Sequence, residues 1–104
     1  MPEFVKVMKT YDILPGEIKS FDVEGEVIAI CHINGNFYAI KDECSHMAYP
    51  LSDGSLDGEI ITCAWHGAKF NVKTGDVLSM PAVVPIETYQ LKIEGENVYV
   101  LIEL

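Results

Sequence analysis

A chain of 104 residues, about half of them apolar, is long enough for one domain and a modest core and too hydrophobic to remain a disordered polymer. Seven lysines, no arginine and sixteen acidic residues leave a net charge of −9, which excludes binding by phosphate neutralisation and favours encounter with a basic protein partner rather than nucleic acid. No run approaches the roughly 20 apolar residues that cross a bilayer, and Met1-Pro2-Glu3-Phe4 lacks the basic patch and apolar stretch of a secretory leader, so the sequence predicts no membrane span and a cytoplasmic location.

Strands are predicted at Phe4–Met8 and Ile18–Val23, with Leu14-Pro15-Gly16-Glu17 as the turn between them. Val27-Ile28-Ala29-Ile30-Cys31-His32-Ile33 is an apolar run broken only by His32. In it Cys31 reads as a small buried hydrophobe and His32 as an ordinary strand residue rather than a ligand. Asn34-Gly35 separates Ile28–Ile33 from Phe37–Ile40, a strong hairpin signal. Shorter strands are predicted at Glu59–Cys63, Lys69–Val72 and Val77–Ser79, with Lys73-Thr74-Gly75-Asp76 as a turn. Tyr89, Leu91 and Ile93 then alternate with Gln90 and Lys92, and Glu94-Gly95-Glu96-Asn97 reverses the chain. Val98, Val100 and Ile102 alternate with Tyr99 and Leu101, which predicts a last strand covered on both faces. No segment keeps a helical period with caps. The fold class is therefore all-β, with antiparallel sheets closing as a small barrel or sandwich over a single domain, residues 1–104. Residues 42–80 are richer in Gly, Ser, Asp and Pro and predict a loop-rich subdomain mounted on the sheet core.

Inside that stretch two runs pair a thiol with an imidazole: Cys44-Ser45-His46 and Cys63-Ala64-Trp65-His66, with sixteen residues between His46 and Cys63. Four such donors could hold one metal or two. Structural zinc favours two cysteines a few residues apart, matched by a His pair or a second Cys pair; on that reading the chain is a zinc-stabilised interaction module. A mixed pair on each of two loops instead suits two metal ions with different donors, thiolates on one iron and imidazoles on the other. Three cysteines, an odd count, argue against a disulfide framework. The sequence carries no nucleophile–base–orienter set and no phosphate-cradling Gly-rich loop. It points to an electron carrier rather than an enzyme.

The ligand pattern resembles the Rieske family, and the resemblance extends to Asp53-Gly54, Leu56-Asp57-Gly58, Ile60-Ile61, Gly67, Phe70, Thr74-Gly75 and Pro81. It covers nearly the whole chain and is nearest to the small Rieske ferredoxins of multicomponent aromatic-ring oxygenases. The resemblance implies a Rieske 2Fe-2S cluster, with Cys44 and Cys63 on the buried iron and His46 and His66 on the outer one. Gly67, Ala68, Phe70 and Pro81 would border the cluster: a side chain at Gly67 would block backbone N–H groups, and Pro81 would stiffen a third lid, Met80-Pro81-Ala82. Rieske proteins of respiratory and photosynthetic complexes tie the cluster loops with a disulfide and place Ser and Tyr hydroxyls near cluster sulfurs. The matching positions here are Tyr49 and Trp65 for the disulfide, Ala68 and Phe70 for the hydroxyls. With both donors lost, the implied potential falls near the low end of the ~−150 to +300 mV Rieske range.

The implied function is carriage of one electron from a flavin-containing, NADH-dependent reductase to a terminal oxygenase. Met47, Tyr49, Pro50, Trp65 and Pro81 would surround the imidazoles at the docking face, rimmed by Asp42, Glu43 and Asp53. Two related roles fit the same resemblance: small subunit of a nitrite reductase, and electron donor to a diiron monooxygenase. Nothing in the sequence demands more than a monomer.

Overall fold

The run from Val27 to Ile33 is apolar but for His32 because it lies in the middle of the molecule. The computed structural model describes residues 2–44, 49–64, 67–79 and 84–103. In it the run forms most of β3 (Glu26–Ile33), paired with β2 (Ile18–Val23) on one side and β4 (Asn36–Lys41) on the other. Short β9 (Thr88–Tyr89) joins β4, giving a central sheet in the order β2-β3-β4-β9. A second sheet holds β1 (Pro2–Lys9), β11 (Asn97–Glu103) and β10 (Leu91–Glu94), in that order. The third follows the chain: β5 (Ser55–Asp57), β6 (Ile60–Thr62), β7 (Lys69–Asn71) and β8 (Val77–Ser79). Every pairing among the described residues is antiparallel.

Successive side chains of a strand point to opposite faces, and on β3 this divides the core in two. Ile28 and Ile30 pack with Met8, Val98, Val100 and Ile102 of the β1-β11-β10 sheet. Ala29, Cys31 and Ile33 pack with Ile61 and Phe70 of the third sheet, with Val72 just after β7, and with Leu51. The molecule is a three-layered sandwich whose middle sheet serves both cores. A strand covered on both faces needs no polar alternation, which is what the sequence of β3 shows.

Asn34 and Gly35 take φ of 50° and 84°, the two left-handed residues of the expected tight hairpin. The same conformation recurs at Glu24 and Gly25, with φ of 54° and 86°, where the Asp22 Oδ1 accepts the Gly25 N–H at 3.1 Å. No Asn-Gly or Asp-Gly pair marks that turn in the sequence. The predicted strand from Tyr89 to Ile93 is split: Thr88–Tyr89 pairs with β4 in the central sheet, and Leu91–Glu94 pairs with β11 in the next. The outer face of β11 is not covered by a further layer. Tyr99 and Leu101 stay half-buried there, and Lys92 lays its ammonium 4.6 Å from the Phe4 ring centre and 5.3 Å from that of Tyr99. The stretch expected to be loop-rich carries its own four-stranded sheet, β5 to β8, besides a 3-10 turn at Leu51–Asp53. Among the described residues no helix is long and apolar enough to cross a membrane.

Candidate metal centre

The two ligand runs begin on matched loops. Cys44 donates its backbone N–H to the Tyr49 carbonyl at 2.9 Å, and Cys63 donates its own to the Ala68 carbonyl at 2.8 Å. Each loop is thus closed across six residues with a cysteine at its first position. The second closure continues the β6–β7 ladder, so Cys63 and Ala68 form the base of a hairpin loop. Both cysteines are 1% exposed and belong to one apolar core with Leu51, Ile61, Ala68 and Phe70. In sequence, His46 lies two residues beyond its cysteine and His66 three beyond, further into each loop. His46, His66, Met47, Trp65 and Pro81 lie outside the described residues. Among the described residues no three His, Cys, Asp or Glu side chains gather to hold a metal. The structure therefore brings together Cys44, Cys63, Ala68 and Phe70 from the predicted set.

These residues fit the thiolate half of a 2Fe-2S core. Neither cysteine is in a disulfide. A buried thiolate in apolar surroundings is costly unless a cation sits beside it, and an iron core supplies that charge. Gly67 follows the second run with φ of 71° and donates its N–H to the Cys63 carbonyl at 3.1 Å. Among the described residues a Cβ there would meet no heavy atom within 4 Å, and the left-handed backbone by itself favours glycine at this position. The third segment, which contains Pro81, is bracketed at its ends. Ile86 donates its N–H to the Gly75 carbonyl at 3.0 Å, and a Cβ on Gly75 would overlap the Ile86 carbonyl oxygen.

Asp42, expected on the acidic docking rim, is instead buried at 8% exposure. Its Oδ1 accepts the Ser52 N–H and its Oδ2 the Ser52 hydroxyl, each at 2.7 Å. No local pattern marks this pair, because nothing in the sequence links residues ten apart. Glu43, Pro50 and Asp53 are exposed as expected. They line a groove of about 540 Å³ together with Glu26, Val27 and Tyr89. Tyr89 donates its hydroxyl to the Glu26 carboxylate at 2.7 Å. Burial, followed by that bond, holds the Tyr89 phenol well above its ordinary ionisation range.

The two residues set aside as structural behave so. His32 donates Nδ1–H to the Ile13 carbonyl at 2.8 Å and stacks on Phe37 with ring centres 4.2 Å apart. Cys31 is fully buried, and that burial, with the Asp42 charge second, pushes its thiol up to about 12. It is an inert thiol at neutral pH.

Residues 3–90 match the Rieske [2Fe-2S] domain. The ferredoxin component of biphenyl 2,3-dioxygenase from Rhodococcus jostii is 40% identical over 98 residues, covering 94% of this chain and 92% of that one. Among solved structures, the complex of reduced oxygenase and oxidized ferredoxin in carbazole 1,9a-dioxygenase contains a chain that superposes with a TM-score of 0.89 at 37% identity, over 93% of this chain and 91% of that one. A candidate small subunit of a nitrite reductase superposes with a TM-score of 0.82 over 96% of this chain and 99% of that one, but at 24% identity it shows a shared fold and no more. With the family pattern matched over most of its length, and ferredoxin relatives of the same size matched nearly end to end, the chain belongs to the Rieske [2Fe-2S] family and carries that family's cluster.

Proposed function

We propose that this chain is the ferredoxin component of an aromatic-ring dioxygenase system. It takes single electrons from an NADH-dependent flavin reductase and passes them to a terminal oxygenase. The observation that carries this reading is the pair of matched loops, each opening on a buried cysteine and each containing a histidine further along, in a chain of ferredoxin length. Its similarity to a ferredoxin solved in complex with an oxygenase supports the acceptor. The reductase, with NADH as its source of electrons, is the finer part of the proposal, and a cytoplasmic location and a monomeric state belong to the same reading.

In this reading Cys44, Cys63, His46 and His66 are the four ligands within residues 42–80 of one Rieske domain. The bound 2Fe-2S group supplies a one-electron couple. The chain supplies its setting. Buried Cys44 and Cys63 hold the inner side in a water-poor core. Neutral imidazoles at His46 and His66, in place of two anionic thiolates, make the site two charges less negative and its reduction easier than at an all-cysteine centre. Ala68 and Phe70 surround the cysteines with groups that donate no hydrogen bond from their side chains. No side chain needs to transfer a proton or form a covalent intermediate, so the role is electron carriage and not catalysis.

The deciding experiment is EPR of the dithionite-reduced protein with iron and acid-labile sulfide analysis. The expected result is two irons and two sulfides per chain, with an average g below that of all-cysteine clusters. Folded protein prepared anaerobically without iron or sulfide would overturn the reading, as would a signal of the all-cysteine type.

A further inference from the structure

The base of the first loop carries a support that lies outside the ligand pattern. Asp42 sits two residues before Cys44, and Ser52 three after Tyr49. Their double hydrogen bond therefore closes a wider ring outside the Cys44–Tyr49 bond. Both contacts are 2.7 Å, the short range of charge-assisted bonds, and a carboxylate with both oxygens engaged has little freedom to turn. Asp42 is fixed from behind as well, through its own N–H to the Val27 carbonyl at 3.0 Å on the central sheet.

The same turn reaches the second loop. Leu51 is completely buried, and its carbonyl accepts the Gly54 N–H at 2.9 Å. Gly54 packs so closely on β6 that a Cβ would overlap the Thr62 carbonyl oxygen. Thr62 immediately precedes Cys63. The connection thus runs along the chain from Cys44 to Asp42, across the hydrogen bonds to Ser52, along the Leu51–Gly54 turn, and by close packing to Thr62, the residue before Cys63. None of the three cysteines is in a disulfide, so no cross-link within the protein sets the spacing of the two loop bases.

We propose that the Asp42–Ser52 pair is the positioning brace that holds Cys44 in register with Cys63 for cluster binding. The inference rests on reading those two cysteines as ligands. Asp42 and Ser52 act through the Cys44 backbone and through the Leu51–Gly54 turn, as outer partners that fix the orientation of a ligand.

Ser52→Ala tests the brace without altering charge: it removes the Oγ–H donor and leaves the backbone N–H. Ser52→Thr keeps the hydroxyl. The expected result is that S52A releases its iron to a chelator about tenfold faster than the wild type, with a broadened or shifted EPR signal, and that S52T behaves as wild type. Asp42→Asn should follow S52A; if it fails to fold, the Ser52 variants decide. Wild-type release and EPR in S52A would overturn the brace. So would faster release with an unaltered EPR signal and a matching fall in Tm, the mark of general destabilisation. Failure of the ligand reading is separate: it appears in the wild type, as the absence of a mixed-ligand signal.

Discussion

An oxygen atom added at Ala68 would enter the apolar core shared by both cysteines, where the alanine is 0% exposed. Unsatisfied, a buried hydroxyl costs about 1–3 kcal/mol; donated to a cluster sulfur, it favours the extra negative charge of the reduced state. Ala68→Ser is therefore expected to raise the midpoint potential by on the order of 60 mV, a tenfold change for a one-electron couple, read by redox titration. Cys31 makes a different prediction. Its thiol ionises near 9.0 when unfolded and only at about 12 when folded, through burial first and the Asp42 charge second. The native state thus retains a proton that the unfolded chain gives up, so this contribution to stability is intact below about pH 9 and is lost as pH rises toward about 12. The wild-type Tm should fall across the accessible part of that window, and Cys31→Ala should fall less steeply in the same pH series. That Cys31 is a core residue was legible from its apolar run. The Asp42–Ser52 contact was not, because it depends on how the chain returns after the first loop.

Among the elements, glycines separate two demands. Gly67→Ala meets no heavy atom of the described residues but a left-handed backbone, which costs about 1–2 kcal/mol. Gly54→Ala meets the Thr62 carbonyl itself, so β6 or the Leu51–Asp53 turn must move, at a cost toward or beyond the upper end of about 1–3 kcal/mol. G54A is expected to lower the Tm more than G67A, and a reversed order would contradict the close packing of that turn on β6. The long elements could be read from sequence: β3 from an apolar run broken only by His32, the β3–β4 hairpin from Asn34-Gly35. β5 and β9, of three and two residues, are too short for alternation to mark them. The Glu24-Gly25 turn was hidden because glutamate seldom takes a left-handed φ. The change of sheet between Tyr89 and Leu91 was hidden because alternation continues through it, and period alone does not say which sheet a strand joins.

For the whole molecule, a net charge of −9 sets how partners are met. Exposed Glu43 and Asp53 flank the first ligand loop, with Glu26 along the same groove. Electron transfer to the oxygenase should therefore slow as salt rises, because screening shortens to ~8 Å at 0.15 M and steered encounter weakens. Stopped-flow oxidation of the reduced chain across a salt series measures this; a rate independent of salt would remove charge from the docking account. At this scale the sequence was most informative about chemistry. Two thiol–imidazole runs at a fixed spacing carried the resemblance to the Rieske family, and the match over residues 3–90 bears that resemblance out. How the sheets stack was open, because an all-β pattern fits a barrel as well as a sandwich.

The middle sheet has a consequence for how the holoprotein is built. One of its faces packs against β1, β10 and β11, and the core on that side includes neither ligand cysteine. Half of the scaffold can therefore consolidate before any iron arrives. The other core, in which Cys44 and Cys63 are buried, is the part of the scaffold whose completion is tied to the metal.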